Sequence, residues 1–322
     1  MTTRKSRSTS ANLLYVLPFF VLFAVFFAWP TVYGLYLSFT DRNLAAAKGP
    51  SLVGFANYLE AFSDPSMWSS LANTLWFTVI TTIPLVILAL VVALLINMNL
   101  RGTWFWRLSV FMPYLFASTV VSLIWVWLFD PNLGLVNTLL SHLGITGPAW
   151  LQDPGTAMSG VAVATVWWTI GFNFLLYLSA LQNIPQQLYE AAAVDGATKW
   201  RQVRSITLPL LGRTTGLVVA LQILASLKVF DQIYQMTGGG PNGATRSILE
   251  YVYDTGFSNY RLGYASAISY VFFAIILILS IAQFSIFNRR GSAGADASRV
   301  AVPEPAEAPT PALRPLTPEA AR

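Results

Sequence analysis

The side chains able to do covalent or metal chemistry are few in this sequence, and they do not gather. There is no cysteine and a single histidine, His142, so neither a thiolate nor a paired-imidazole metal site can be assembled. The acids Asp41, Asp64, Asp130 and Asp153 are scattered through two loops without a paired-carboxylate pattern, which leaves no acid–base couple. Lys5, Lys48, Lys199 and Lys228 follow Arg4, Ala47, Thr198 and Leu227, so no Gly-Lys-Ser/Thr closes a phosphate loop. Gly238-Gly239-Gly240 lacks that lysine too and reads as a turn. The expectation is no catalytic residue, no metal ligand and no cofactor held by this chain.

What remains is polar and aromatic chemistry set into apolar sequence. Trp167, Trp168, Phe172 and Asn173 lie in one apolar run, and Lys228, Phe230, Asp231 and Gln232 lie at the end of another. Aromatic faces stack on the apolar faces of sugar rings, while amides and charges pair hydroxyls. A charge inside a membrane is a pathway residue by default. These eight are the substrate-pathway candidates, with Lys228 and Asp231 spaced to pair on one helical face. The plainer alternative is that both tryptophans pack or sit at an interface and that Lys228 snorkels to the surface.

The elements that must carry these residues follow from composition. Hydrophobic residues make up 55% of the 322 positions and charged residues 10%, far from the mix of a soluble domain. Six stretches, 13–37, 71–97, 108–129, 158–181, 214–230 and 262–287, are long and apolar enough to cross a bilayer. The first has a basic flank but too long a core for a cleaved signal. Lys and Arg cluster at Arg4, Lys5 and Arg7, at Arg101 and Arg107, from Lys199 to Arg213, and from Arg289 onward. The opposite side holds only Arg42, Lys48, Arg246 and Arg261, and cytoplasmic loops retain basic residues. The sequence therefore predicts an all-α integral membrane protein with six transmembrane helices and both termini cytoplasmic. Topology accounts for the basic excess, so no nucleic-acid partner is needed.

The segments divide as a cytoplasmic tail 1–12, a first helix 13–37, an external loop 38–70, a core 71–290 and a tail 291–322. That last tail is dominated by Ala and Pro, and its composition predicts disorder. Pro18, Pro30, Pro84 and Pro113 fall inside spans, where they favour kinks or are tolerated among neighbouring helices.

Residues 182–213, between the fourth and fifth spans, form a cytoplasmic loop too long for a helix hairpin. Pro185 can open a helix, Leu188 to Val194 form helix readily, and Gly196 supplies a stop. Thr198 to Ile206 form a second helical stretch, with a stop at Thr207-Leu208-Pro209. Two short amphipathic helices with a bend suit a docking element or a segment resting on anionic lipid.

Here the residues resemble a known signature. Glu190-Ala191-Ala192, then three residues, Gly196, nine residues, Ile206, one residue and Leu208-Pro209 are similar to the EAA motif of binding-protein-dependent ABC importer permeases; Asp195 and Ala197 flank the glycine. Pro18-Phe19-Phe20, Ser38-Phe39-Thr40-Asp41, Gly54-Phe55-Ala56-Asn57-Tyr58, Phe230-Asp231, Thr237-Gly238-Gly239-Gly240-Pro241 and Gly263-Tyr264-Ala265-Ser266-Ala267 resemble the maltose and glycerol-phosphate permease group. The resemblance implies a type I ABC importer permease (MetI-like) architecture in a bacterial cell membrane. It implies as partners a second homologous permease subunit, two copies of a cytoplasmic ABC ATPase that bind ATP and Mg, an extracytoplasmic solute-binding protein, and the membrane lipid around the spans. Glu190 would face the ATPase and Gly196 would make the bend. A sugar is the implied cargo; glycerol phosphate in the same kind of importer, or an ion-coupled secondary transporter, are the alternatives. The last would need membrane carboxylates or broken helices, and the six stretches contain no Asp or Glu.

Overall fold

The computed structural model describes residues 8–47, 49–98 and 101–299. Arg4, Lys5, Arg7, Lys48 and the tail from residue 300 onward lie outside the described residues. The chain divides into a unit 1–282 and a second unit 283–322. The pathway candidates and the loop 182–213 belong to the first.

Helices α1 (Ser8–Phe23) and α2 (Trp29–Ser38) join through a wide π turn at Ala24–Ala28. After a loop come α3 (Ala56–Ser63) and α4 (Pro65–Ile96), then α5 (Thr103–Phe111), a 3-10 turn at Met112–Leu115, α6 (Ser118–Leu128) and α7 (Leu135–His142). The long α8 (Ala157–Gln182) precedes α9 (Gln186–Val194), α10 (Lys199–Gln202), α11 (Leu208–Leu210) and α12 (Gly212–Leu227). Short α13 (Asp231–Met236) and α14 (Ile248–Tyr253) lead to α15 (Leu262–Arg299). Among the described residues the only strand-like pairing is an isolated bridge between Thr40 and Leu52.

Among the described residues four helical stretches, Tyr15–Ser38, Pro65–Ile96, Ala157–Gln182 and Leu262–Gln283, are long and apolar enough to span a membrane, and the number is six if each of two bent pairs is one span. The predicted third span is not one rod. Thr103–Leu115 and Ser118–Leu128 meet at 99°, because Phe116 and Ala117 take extended backbone after the Pro113 turn. Pro18 and Pro84 stay inside regular helix, and Pro30 opens α2.

The centre is α4 packed along α8. Ala89 and Ala93 of α4 and Phe174, Tyr177 and Leu178 of α8 share one buried cluster with Val218 of α12; Phe77, Val161, Ala162 and Ala164 share another with Ile233 of α13. Small residues let helices approach closely where lipid offers no hydrophobic drive for association. Gly171 of α8 is the tightest case: a Cβ there would stand 2.7 Å from the Val110 carbonyl oxygen. The hydroxyls of Thr74, Thr78 and Thr81 donate to carbonyls one turn back and so stay satisfied while buried.

A polar knot ties together residues of α2, α3, α4, α14 and α15. Asp64 caps α4 by accepting from the Ser66 amide at 2.8 Å, as an N-cap carboxylate should. Its Oδ2 also accepts from Tyr264 at 2.7 Å and from Tyr251. Burial raises the Asp64 carboxyl, but the hydrogen bonds from both tyrosines and from the backbone outweigh it and hold it below its ordinary value. Asn57 donates to the Ser38 and Thr40 carbonyls at 2.9 and 2.8 Å, and Gly263 passes so close to Thr40 that a Cβ would lie 2.0 Å from its carbonyl oxygen.

The last helix continues to Arg299, past residue 291 where composition predicts a disordered tail. Its residues from Gln283 onward belong to the second unit.

Candidate functional site

Where α12 ends, the chain turns over a cavity of about 320 Å³. Trp168, Phe172 and Asn173 from α8 line it, as do Lys228, Phe230, Asp231 and Gln232 from the α12–α13 turn. Seven of the eight sequence candidates therefore converge. Trp167 does not join them: it faces a separate apolar recess with Pro84, Leu88 and Trp125, its ring edge-on to Trp125 at 5.8 Å. Consecutive helical residues diverge by about 100°, which follows from 3.6 residues per turn.

The pairing of Lys228 with Asp231 on one helical face is not found. Lys228 is the C-terminal cap of α12, Phe230 has extended φ of −142°, and Asp231 begins α13, so the i,i+3 register is broken. The ion pair among the described residues is Arg261–Glu60 at 2.7 Å, remote in sequence from both. Asp231 instead accepts from the Ser118 hydroxyl at 3.3 Å, at the start of α6.

The cavity also recruits residues that apolar runs and spacing do not single out. Tyr114 comes from the broken segment and stacks on Phe172 at 5.6 Å. The break leaves the Phe116 carbonyl free of helix, and Trp168 Nε1 donates to it at 3.1 Å. On another wall Asn173 donates to Gln222 at 3.1 Å, Gln222 donates to Ser226 at 2.9 Å, and Ser226 pairs with Thr81 at 3.0 Å. This buried ladder joins α8, α12 and α4. Gln222 and Ser226 are polar residues in an apolar helix, and that was the signal available for them.

The loop 182–213 holds the second constellation. Pro185 caps α9, and its end is a complete Schellman turn. Gly196 has φ of +76°, its amide donates to the Ala193 carbonyl at 3.1 Å, and the Ala197 amide donates to that of Ala192 at 2.9 Å. The glycine is there for its φ, because nothing among the described residues lies within 4 Å of a Cβ at that position. Thr198 caps α10. Helical backbone then runs through a π turn at Val203–Thr207, which contains Ile206, into α11 with Leu208 and Pro209. The expected stop at 207–209 is absent; the chain bends by 60° between Leu210 and Gly212 instead.

Two contacts brace the bend. The Tyr189 and Thr207 hydroxyls pair at 2.9 Å, and Gln202 Nε2 donates to the carbonyls of Ala197 and Tyr189 at 3.3 and 3.4 Å. Glu190, Ala191, Asp195 and the apolar Leu188, Val194 and Trp200 are exposed, while Ala192 and Ala197 are half-buried. A braced hook with apolar groups in the open has the form of a docking element.

The family model described as binding-protein-dependent transport system inner membrane component matches residues 86–290, which include all eight pathway candidates and the loop 182–213. The chain belongs to that family. This inner-membrane permease is 34% identical to the sulfoquinovosyl glycerol transport system permease protein SmoG of Agrobacterium fabrum, over 86% of this chain and 90% of that protein. It is 37% identical to the sn-glycerol-3-phosphate transport system permease protein UgpA of the same organism, over 86% of this chain and 94% of that one. Its fold matches a crystal structure of a bacterial ABC transporter involved in import of the acidic polysaccharide alginate, with a TM-score of 0.75, 24% identity, and 87% and 96% of the two chains covered. Helices broken within an apolar stretch, a feature of ion-coupled carriers, thus occur at Thr103–Leu128 in a binding-protein-dependent permease.

Proposed function

We propose that this permease forms one half of the path of an ATP-driven sugar importer, with six spans and both termini in the cytoplasm. A second homologous permease completes the path, two copies of an ABC ATPase bind ATP and Mg and hydrolyse it below, and an extracytoplasmic binding protein delivers cargo. The observation that carries the reading is the cavity beneath the α12–α13 turn, where Tyr114, Trp168, Phe172 and Phe230 offer ring faces beside Asn173, Gln222, Lys228, Asp231 and Gln232. Stacking faces with polar groups at their edges are what a sugar ring requires.

The hook at 186–210 takes the power stroke. Glu190 and the Gly196 bend seat in the ATPase, ATPase closure displaces the hook, and α8 and α12, attached to its two ends, rock so that the cavity opens to alternate sides. A second reading of the cargo, glycerol phosphate, is favoured by Lys228, which lines the cavity without an ion-pair partner among the described residues. The phosphate-ester relative is in keeping with it.

The test is uptake into liposomes by the complex reconstituted with partner permease, ATPase and binding protein. A ligand identified by melting shift on the binding protein should accumulate only with ATP and ATPase present. Lys228→Ala should cut uptake of glycerol 3-phosphate at least ten-fold while sparing a neutral sugar if the second reading holds. It should affect both modestly if the cargo is a neutral sugar. Accumulation without the ATPase would sink the importer reading.

A further inference from the structure

A row of aromatic rings leaves the cavity and continues over the α13 and α14 surface. Phe230, which lines the cavity, stacks on Tyr234 at 5.3 Å with 18° between ring planes. Tyr253 lies 5.5 Å from both, and Phe257 follows at 5.4 Å. Tyr234, Tyr253 and Phe257 are 42%, 36% and 57% exposed, although Ile233, next to Tyr234 in the chain, is wholly buried. The row is thus a presented surface that begins at a site wall.

Its chemistry is mixed rather than greasy. Two of the rings carry hydroxyls, and the half-buried Asp254 sits next to Tyr253 in the chain and is close enough to act electrostatically on Tyr234. An aromatic belt facing lipid would not place a carboxyl in its midst, because a carboxylate in that position is expensive. Apolar ring faces edged by hydroxyl and carboxyl groups suit a pyranose, which offers C–H faces and a rim of hydroxyls.

We infer that Phe230, Tyr234 and Tyr253, continued by Phe257, form a stacking track for carbohydrate rings that leads into the central cavity. Asp254 serves the track as a hydroxyl acceptor. The occupant is the cargo itself, argued from the continuity through Phe230, and the inference rests on the sugar-import reading of that cavity. With the charge-based orientation, the track lies on the side from which the binding protein delivers. Each ring is within one stacking distance of the next, so a sugar can leave one face as it meets another. A saccharide of two or three units would lie across the cavity and the track together.

The experiment uses the whole reconstituted complex and a panel of radiolabelled glucose, maltose, maltotriose and glycerol 3-phosphate offered with the binding protein. Tyr253→Ala and Tyr234→Ala should raise the half-saturating concentration of a transported sugar by roughly 3- to 10-fold, the scale of one aromatic stacking contact. Tyr253→Phe, which keeps the ring, should stay within about two-fold. Because the chain has no cysteine, Tyr253→Cys gives a single thiol, and its maleimide labelling should slow when that sugar is delivered. Unchanged uptake with unprotected labelling would overturn the track and make the row a membrane-interface belt. Failure of the alanine variants to assemble with the second permease, or to bind the sugar-free binding protein in pull-down, would overturn it in favour of a protein interface. Were the wild-type complex to take up no sugar of the panel, the sugar-import reading would fall and the track with it; uptake that ignores Tyr253 and Tyr234 would remove the track alone.

Discussion

Glu250 shows how a single side chain in this protein is governed by its surroundings. It lies in α14 at 1% exposure, its Oε2 has no hydrogen-bond partner among the described residues, and burial, with Asp254 nearby, pushes its carboxyl up to about 7 despite Arg246 and the Ser247 contact. The folded protein therefore holds a proton that the unfolded chain releases near the ordinary glutamate value. Stability contributed by that proton is present at low pH and is lost as pH rises towards 7, after which it levels off. The melting temperature of the purified complex should fall between pH 5.5 and 8, and Glu250→Gln should flatten that slope. An unaltered slope in the variant would place the titration elsewhere. The ladder Asn173–Gln222–Ser226–Thr81 makes a second residue-scale case. Buried amides inside a membrane bundle hold together only as partners, so a double-mutant cycle between Asn173→Ala and Gln222→Ala should give a coupling of about 0.6–1.7 kcal/mol. Zero coupling in denaturant or thermal unfolding would mean water, not the partner, satisfies each amide.

The hook is the element whose form was most legible in the sequence. Pro185, the helix-forming run to Val194 and Gly196 each have one strong local preference, and all three agree. What the sequence did not disclose is the brace. Tyr189, Gln202 and Thr207 belong to no spacing rule, because their meeting depends on how a π turn rotates Thr207 towards α9. The same limit explains the third span: hydropathy marks 108–129 as apolar but is blind to a 99° break within it, and only the packing of Tyr114 and Trp168 shows why the break is kept. The hook should fail in two separable ways. Gly196→Pro forces φ to about −65° where +76° is needed and removes the amide that donates to Ala193, so binding-protein-stimulated ATPase should drop by at least ten-fold with membrane insertion intact. Tyr189→Phe deletes one hydroxyl and keeps the ring. It should leave ATPase binding in place but lower cargo moved per ATP hydrolysed, because a hook with slack absorbs part of the stroke. A normal transport-to-hydrolysis ratio in Tyr189→Phe would show that the hydroxyl pair carries no load.

At the scale of the molecule, the pathway candidates converge because they sit on both sides of the joint where α12 stops and α13 starts. Their i,i+3 spacing read Lys228 and Asp231 as one helical face; the joint separates them, and both line the cavity. The knot around Asp64, Asn57 and Gly263 binds the helix ends remote in sequence from the hook, so motion of the hook should reach the cavity by tilting α8 and α12 about that knot. This requires the hook and the α13–α14 surface to lie on opposite sides of the membrane, an arrangement that the distribution of Lys and Arg implies. The cysteine-free sequence allows a direct test with two single-thiol variants, Lys199→Cys in the hook and Asn242→Cys in the turn before α14, both at exposed positions. In intact cells an impermeant maleimide should label the Asn242→Cys variant and spare the Lys199→Cys variant, and in inside-out vesicles the pattern should reverse. Labelling of both from one side would require an odd number of crossings between them to be abandoned. In that case the α12 segment would be a re-entrant hairpin, the hook could not sit under an ATPase while the track faces a binding protein, and the rocking scheme would have to be rebuilt from the topology upward.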